Sequence, residues 1–163
     1  MGDVALLGVL GAAFAFGVGS ALLPVFLNAE AYVVAMGALV NTRVDLVFAI
    51  LALSVGTLVG KVFVFELART GSSKIRSVDR KPSRNAFFAK VRRFSDWLLS
   101  LLDRRYEGAL TVLMSSLFGI PPLAVVTVMA GASRQPRWLF LLMVFIGRTA
   151  QFLVIAFLVH KAT

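Results

Sequence analysis

The 163-residue sequence contains no cysteine, a single histidine and only eight acidic residues. Without cysteine there is no disulfide framework, no thiolate nucleophile and no sulfur-ligated metal. His160, alone near the end of the sequence, reads as an interfacial residue rather than a ligand; no HExxH helix, no Ser-His-Asp candidate set and no Gly-rich phosphate loop ending in GK[ST] occurs. The carboxylates are too scattered to form a metal cluster, so neither metal nor cofactor is expected, and an intramembrane enzyme is a poor fit. Charge is also scarce, at 15% of residues against 59% hydrophobic, with a mean hydropathy of +0.88. A soluble domain has roughly a quarter charged residues and about 45–50% apolar ones. So few charges cannot coat a water-facing globule, and part of the solvent must be lipid. Disorder and a two-domain soluble enzyme are thereby excluded.

What the sequence has instead is long apolar runs. No charge occurs from Val4 to Ala29, between Asp3 and Glu30; the start Met1-Gly2-Asp3 lacks the positive segment of a cleavable signal, so this run is expected to stay. Further apolar runs are 31–42, 46–60 continuing past Lys61 to Phe65, 108–133, and 138–159 interrupted by Arg148. A crossing helix needs about 20 apolar residues, whereas runs of about 10–14 are better read as re-entrant or interfacial. Residues 4–22, 46–66 and 138–160 therefore read as spans. The run 31–42 is too short to cross alone, and Gly119-Ile120-Pro121-Pro122 breaks 108–133 near its centre. Pro24, followed by Asn28 and Glu30, makes a similar break in the first half. The expected fold is all-α: a polytopic membrane protein with about three full transmembrane helices and two oppositely oriented re-entrant hairpins, 23–42 and 108–133. Their tips would be Pro24 and Asn28 in one, and Gly119, Pro121 and Pro122 in the other.

The excess of positive charge is confined. Seventeen Lys/Arg against eight acids give +9, and residues 69–93 hold nine Lys/Arg against Asp79 alone, a net +8. Basic loops of this kind stay in the cytoplasm, so the island 69–105 is placed there and divides one integral membrane domain, 1–163, into halves 1–68 and 106–163. Gly71-Ser72-Ser73 and Lys81-Pro82-Ser83 read as turns. Phe87, Val91, Phe94, Leu98 and Leu101 then make one apolar stripe over 86–105, with Lys90, Arg92, Arg93 and Asp96 between them and Trp97 as an interfacial anchor. The stripe suits a helix in the headgroup plane or one packed on the protein's own core. Anionic lipid headgroups are the expected partner rather than nucleic acid. Three spans make a thin bundle around two hairpins, and packing alone suggests a homodimer. With the island inside, Arg43 lies outside, the first hairpin dips from outside and the amino terminus is inside. The second hairpin dips from the cytoplasm, and the last span carries the chain out. Gly37-Ala38 precedes Arg43 as Gly131-Ala132 precedes Arg137, with the same Gly-to-Arg separation of six, a weak sign of an inverted repeat.

The few charges inside apolar runs are the candidate functional residues. An acid at a helix centre costs about 2.5–3.5 kcal/mol on insertion scales, so Glu30 either faces a cavity, as a proton-carrying site, or sits solvated at the outer interface. Arg148 has ten uncharged residues before it and eleven after, too deep to snorkel, and needs an anion: Glu30, a lipid phosphate or the carbonyl end of a broken helix. Lys61 either snorkels or lines a cavity. Gly56 and Gly60 form a GxxxG pattern that permits close helix approach, with Gly131 a further packing glycine. Glu66 and Arg69, at i, i+3, read as an interfacial pair.

The order of these features resembles the DedA, or VTT-domain (SNARE-associated), superfamily, in a short YqaA-like form. Leu22-Leu23-Pro24…Glu30 is similar to the family's first re-entrant loop with its acid. Gly56…Gly60-Lys61…Phe65…Arg69-Thr70-Gly71 is similar to its G-x-x-x-G-[DN]…Y-x-x-G-R-x-x-G stretch, and Tyr106-Glu107-Gly108, Ile120-Pro121-Pro122 and Ala130-Gly131 to its second loop and following turn. The resemblance implies two facing re-entrant hairpins and movement of lipids between leaflets, polyprenyl-phosphate carriers included, often linked to proton motive force. Two departures stand out: Lys61 replaces the usual Asp or Asn, and Ser116, Leu117, Phe118 and Pro121 occupy a stretch that commonly carries arginine. Arg148 is the candidate to supply that cation. The expected function is a lipid transporter or scramblase-like protein. The alternatives are a proton-coupled transporter of a small solute or ion, and a non-transporting membrane-organising protein.

Overall fold

The computed structural model describes residues 3–24, 27–40, 42–77 and 86–162. Among them every regular element is an α-helix: α1 (Asp3–Leu22), α2 (Ala29–Leu39), α3 (Arg43–Ser77), α4 (Ala86–Leu102), α5 (Arg105–Phe118), α6 (Leu123–Ala132) and α7 (Arg137–Ala162). Three are long and apolar enough to cross a bilayer, over Val4–Leu22, Arg43–Ser72 and Arg137–Ala162. The two short apolar helices α2 and α6, of 11 and 10 residues, extend only about 15–17 Å at 1.5 Å per residue.

Helix α1 lies along α3 with almost no space between the backbones. A Cβ on Gly56 would meet the carbonyl of Phe14, one on Gly17 the carbonyl of Leu53, and one on Gly60 the carbonyl of Val18 at 2.9 Å. Residue numbers rise together along this contact, so α1 and α3 run parallel and begin at the same end of the bundle. Helix α1 stops abreast of Gly60, where Ala21 touches that glycine's face, about 9 Å of helix short of Glu66. This corrects the expected order of a first span followed by a separate hairpin over 23–42. That segment contains one helix, α2; the other leg of the broken pair is α1 itself, and the amino-terminal end of α1 lies at the Arg43 end of the bundle. A 20-residue apolar helix has the hydropathy of a span wherever it ends, so composition could not reveal this.

The second half repeats the plan: α5, a break at 119–122, α6, then α7 alongside α5. Leu113 and Ser116 of α5 meet Gly147, and Arg105 reaches the Trp138 ring at 5.5 Å, so these two helices also run parallel. The short helices are exchanged between halves. Gly131 of α6 presses on the backbone of α3 at Phe65 and on Ala68, whereas Gly37 of α2 presses on α7 at Ala156 and Val159. Two apolar clusters result. Leu46, Ile50, Leu53, Phe152 and Ala156 form one end of the bundle with Val33, and Phe65, Val112, Val126, Phe140 and Val144 form the other with Leu98 and Leu102.

Two further expectations are corrected at the basic island. The turn read at Gly71-Ser72-Ser73 is helical, because α3 continues to Ser77; the Thr70 and Ser72 hydroxyls donate to the carbonyls of Glu66 and Arg69 on the preceding turn. Lys81-Pro82-Ser83 lies outside the described residues, as does the Phe87 side chain. The helix expected over 86–105 ends at Leu102, and Arg105 starts a new one. Buried Gln135 occupies that corner, its amide nitrogen donating to the Leu102 carbonyl at 2.9 Å and its oxygen accepting from the Ala109 N–H at 3.2 Å. Gly108 leaves the room for it.

Candidate functional site

The two chain breaks are shaped by local chemistry. Asn28 caps α2, its side-chain oxygen accepting from the N–H groups of Glu30 at 2.9 Å and Ala31 at 3.3 Å. That cap fixes Glu30 in the first turn of α2. At the other break Gly119 ends α5 with φ +73°, a left-handed cap that favours glycine, and its N–H donates to Ser115 at 2.9 Å. The Ser115 hydroxyl donates to the Pro121 carbonyl at 2.5 Å, tying the break back to α5.

Both breaks open on one cavity of about 230 Å³. Its wall takes Ser20, Ala21, Pro24, Leu27, Asn28, Ala29 and Glu30 from the first break, Thr57 and Lys61 from α3, Gly119, Pro122, Leu123 and Ala124 from the second break, and Arg148 from α7. The three charges that apolar runs should exclude, Glu30, Lys61 and Arg148, therefore share one space. Arg148 Nη1 donates to Glu30 Oε1 at 2.5 Å and to Gln151 Oε1 at 2.7 Å, and its guanidinium lies 5.2 Å from the Phe152 ring centroid. Lys61 is 3% exposed, and no described carboxylate comes within 4.0 Å of its ammonium. Glu30 is the most accessible of the three, its side chain 38% exposed against 14% for Arg148.

The remaining candidates fall elsewhere. Gly56 and Gly60 seat α1 on α3, and Gly131 seats α6 on the other face of α3. Glu66 and Arg69 do not pair with each other. Glu66 accepts from Arg137 at 2.7 Å, 71 positions away, while Arg69 donates to the Gln135 carbonyl at 2.6 Å and covers Phe65. Arg137 and Gln135 meet these residues because α6 returns the chain to that end of α3, and i, i+3 spacing carries no information on such long-range partners. Thr57, Gly17, Gly147 and Gln135 were not found from the sequence. A lone Gly or Thr on an apolar helix gives no signal of the face it presents, and a lone Gln between Arg134 and Arg137 gives none of burial. Among the described residues no group of His, Asp and Glu could hold a metal ion.

Long apolar helices around a charged interior cavity define a polytopic helical membrane protein. The family model of the VTT domain matches residues 23–161, most of the chain, and the protein belongs to that family. Comparison with the curated proteins and with the solved structures found no match.

Proposed function

We propose that the protein moves lipids between membrane leaflets, as a transporter or scramblase for phospholipids or polyprenyl-phosphate-type lipids. The observation that carries this reading is the single cavity reached by both chain breaks and lined by Glu30, Lys61 and Arg148. In a bilayer core about 30 Å thick, α2 and α6 each cover about half the thickness. The pairs α1–α2 and α5–α6 then act as re-entrant hairpins entering from opposite faces, as two halves of an inverted repeat. Their tips thin the barrier where a headgroup must pass, and the buried charges replace its hydration. Glu30 is the group through which a proton gradient would act. The island 69–105 lies on the cytoplasmic side of a cell membrane. Helix α4 there offers exposed Val91, Phe94 and Trp97 beside exposed Lys90, Arg92 and Arg93, a face suited to anionic headgroups. A homodimer would cover the outer faces of a bundle this thin.

The test is reconstitution in liposomes with labelled lipid. Lipid should cross faster than in protein-free vesicles, and Glu30→Gln and Arg148→Ala should each slow it. Movement at the protein-free rate, with both variants like the wild type, rejects the proposal. The cavity volume also suits a small solute, being below the roughly 300–1,000 Å³ of drug-sized sites. Uptake of a solute driven by a pH gradient, with no lipid movement, would favour that second reading.

A further inference from the structure

The cavity contains two cations and one carboxylate, an imbalance inside an apolar bundle. Lys61 follows Gly60, whose face is pressed on α1, and its ammonium is buried without a carboxylate in reach among the described residues. A buried charge is costly unless it is paired, so the space beside Lys61 favours an anion. Arg148 is only half-used. Its Nη1 serves both Glu30 and Gln151, while its Nε–H is buried with no partner. Glu30 meets the guanidinium through one oxygen rather than the two-pronged contact that guanidinium and oxyanion geometries allow. The start of a helix borders the same space. Helix α6 begins at Pro122 with no side-chain cap, and Leu123 and Ala124 of its first turn line the cavity. The N–H groups of a first helical turn lack partners within the helix and favour negative charge.

We propose that Glu30 is a tethered substitute for the ligand's own anion: an oxyanion enters between Lys61, Arg148 and the start of α6 by displacing the Glu30 carboxylate from Arg148. Glu30 is suited to leave, being the most exposed of the three charges and held at the first turn of α2, where the helix dipole supports a carboxylate after it parts from arginine. The ligand class is a phosphate monoester or similar tetrahedral oxyanion, on a lipid headgroup or free. This rests on the proposed function only in taking the cavity as the headgroup site.

Binding is measured on the full-length protein in detergent, by calorimetry, with dihexanoyl phosphatidic acid, inorganic phosphate and dihexanoyl phosphatidylcholine as probes. Glu30→Gln should bind phosphatidic acid about tenfold tighter than wild type, as expected when an internal competitor holds the site for about nine-tenths of the time. Lys61→Met should bind it at least about tenfold more weakly, a modest effect for removal of one member of a buried charge pair. If inorganic phosphate follows the same pattern the ligand is the free oxyanion; if only phosphatidic acid does, it is the headgroup. Glu30→Gln binding no tighter than wild type, Lys61→Met binding like wild type, or phosphatidylcholine binding as well as phosphatidic acid would each overturn the proposal. A gain of affinity cannot come from misfolding, so the Glu30→Gln result stands whatever Lys61→Met does to folding. Binding as described without lipid movement in liposomes would reject the transport function and leave this site standing.

Discussion

Arg148 and Glu30 illustrate how unequal two members of an ion pair can be. Removing the carboxylate with Glu30→Gln leaves a mostly buried guanidinium without its counter-charge, whereas Arg148→Met leaves a carboxylate that is 38% exposed and still held at the first turn of α2. Glu30→Gln should therefore cost the larger amount, about 1–3 kcal/mol, less than the roughly 3–5 of a fully buried pair because Glu30 is only partly buried. The double variant should be close to Arg148→Met alone. Thermal unfolding in detergent, followed by the fluorescence of the two tryptophans, checks the order; Arg148→Met less stable than Glu30→Gln would reject it. Gly56→Ala is a second case, since its Cβ would run into the backbone carbonyl of Phe14, which cannot yield as a side chain can. A loss of about 1–3 kcal/mol is expected by the same measurement. Charges and the GxxxG spacing are legible at this scale because lipid makes charge costly and a spacing of four defines one face. Gly17 was not legible: its partner is a carbonyl on another helix.

At the scale of elements, proline and glycine placed both breaks correctly along the chain. Gly119→Ala puts a Cβ on a left-handed residue and should destabilise by about 1–2 kcal/mol, although nothing lies within 4 Å of that Cβ. If thermal unfolding were unchanged, the cap would not be held as described. The end of α3 was misjudged because Gly71, Ser72 and Ser73 have the composition of a turn, while the Thr70 and Ser72 hydroxyls find acceptors on their own helix. The proposed place of helix α4 in the headgroup region can be checked directly. Among its described side chains Leu98 and Leu102, near the carboxyl-terminal end, are buried, whereas Phe94 and Trp97, 5.9 Å apart, are exposed. In a Trp138→Phe background, Trp97 should be quenched by lipids brominated near the headgroup. Changing Lys90, Arg92 and Arg93 to Glu should reduce that quenching in anionic vesicles. Equal quenching with and without the three charges would refute the placement.

At the scale of the molecule, a sequence free of cysteine is suited to single-cysteine labelling. Because α1 and α3 run parallel, cysteines at Val4 and Thr42 should react with an impermeant reagent from the same side of the vesicle, and one at Arg104 from the other. Labelling of positions 4 and 42 from opposite sides would restore the order in which α1 crosses before a separate hairpin. The number of crossing-length helices and the repeated pattern of break and long helix were legible, since hydropathy and proline record them. Which helix packs on which was not, because Gly37 and Gly131 each find their surface on the opposite half.

That exchange has a consequence for the covalent chain. Each half lends its short helix to the long helix of the other, and each therefore lacks an apolar cover unless its counterpart is present. A protein cut between residues 78 and 85 should remain one particle through detergent purification when both pieces are co-expressed, and neither piece should accumulate when expressed alone. The interface holding it together would be interior packing of the kind usually reserved for a single domain, so the linker could be dispensed with once the two pieces have met.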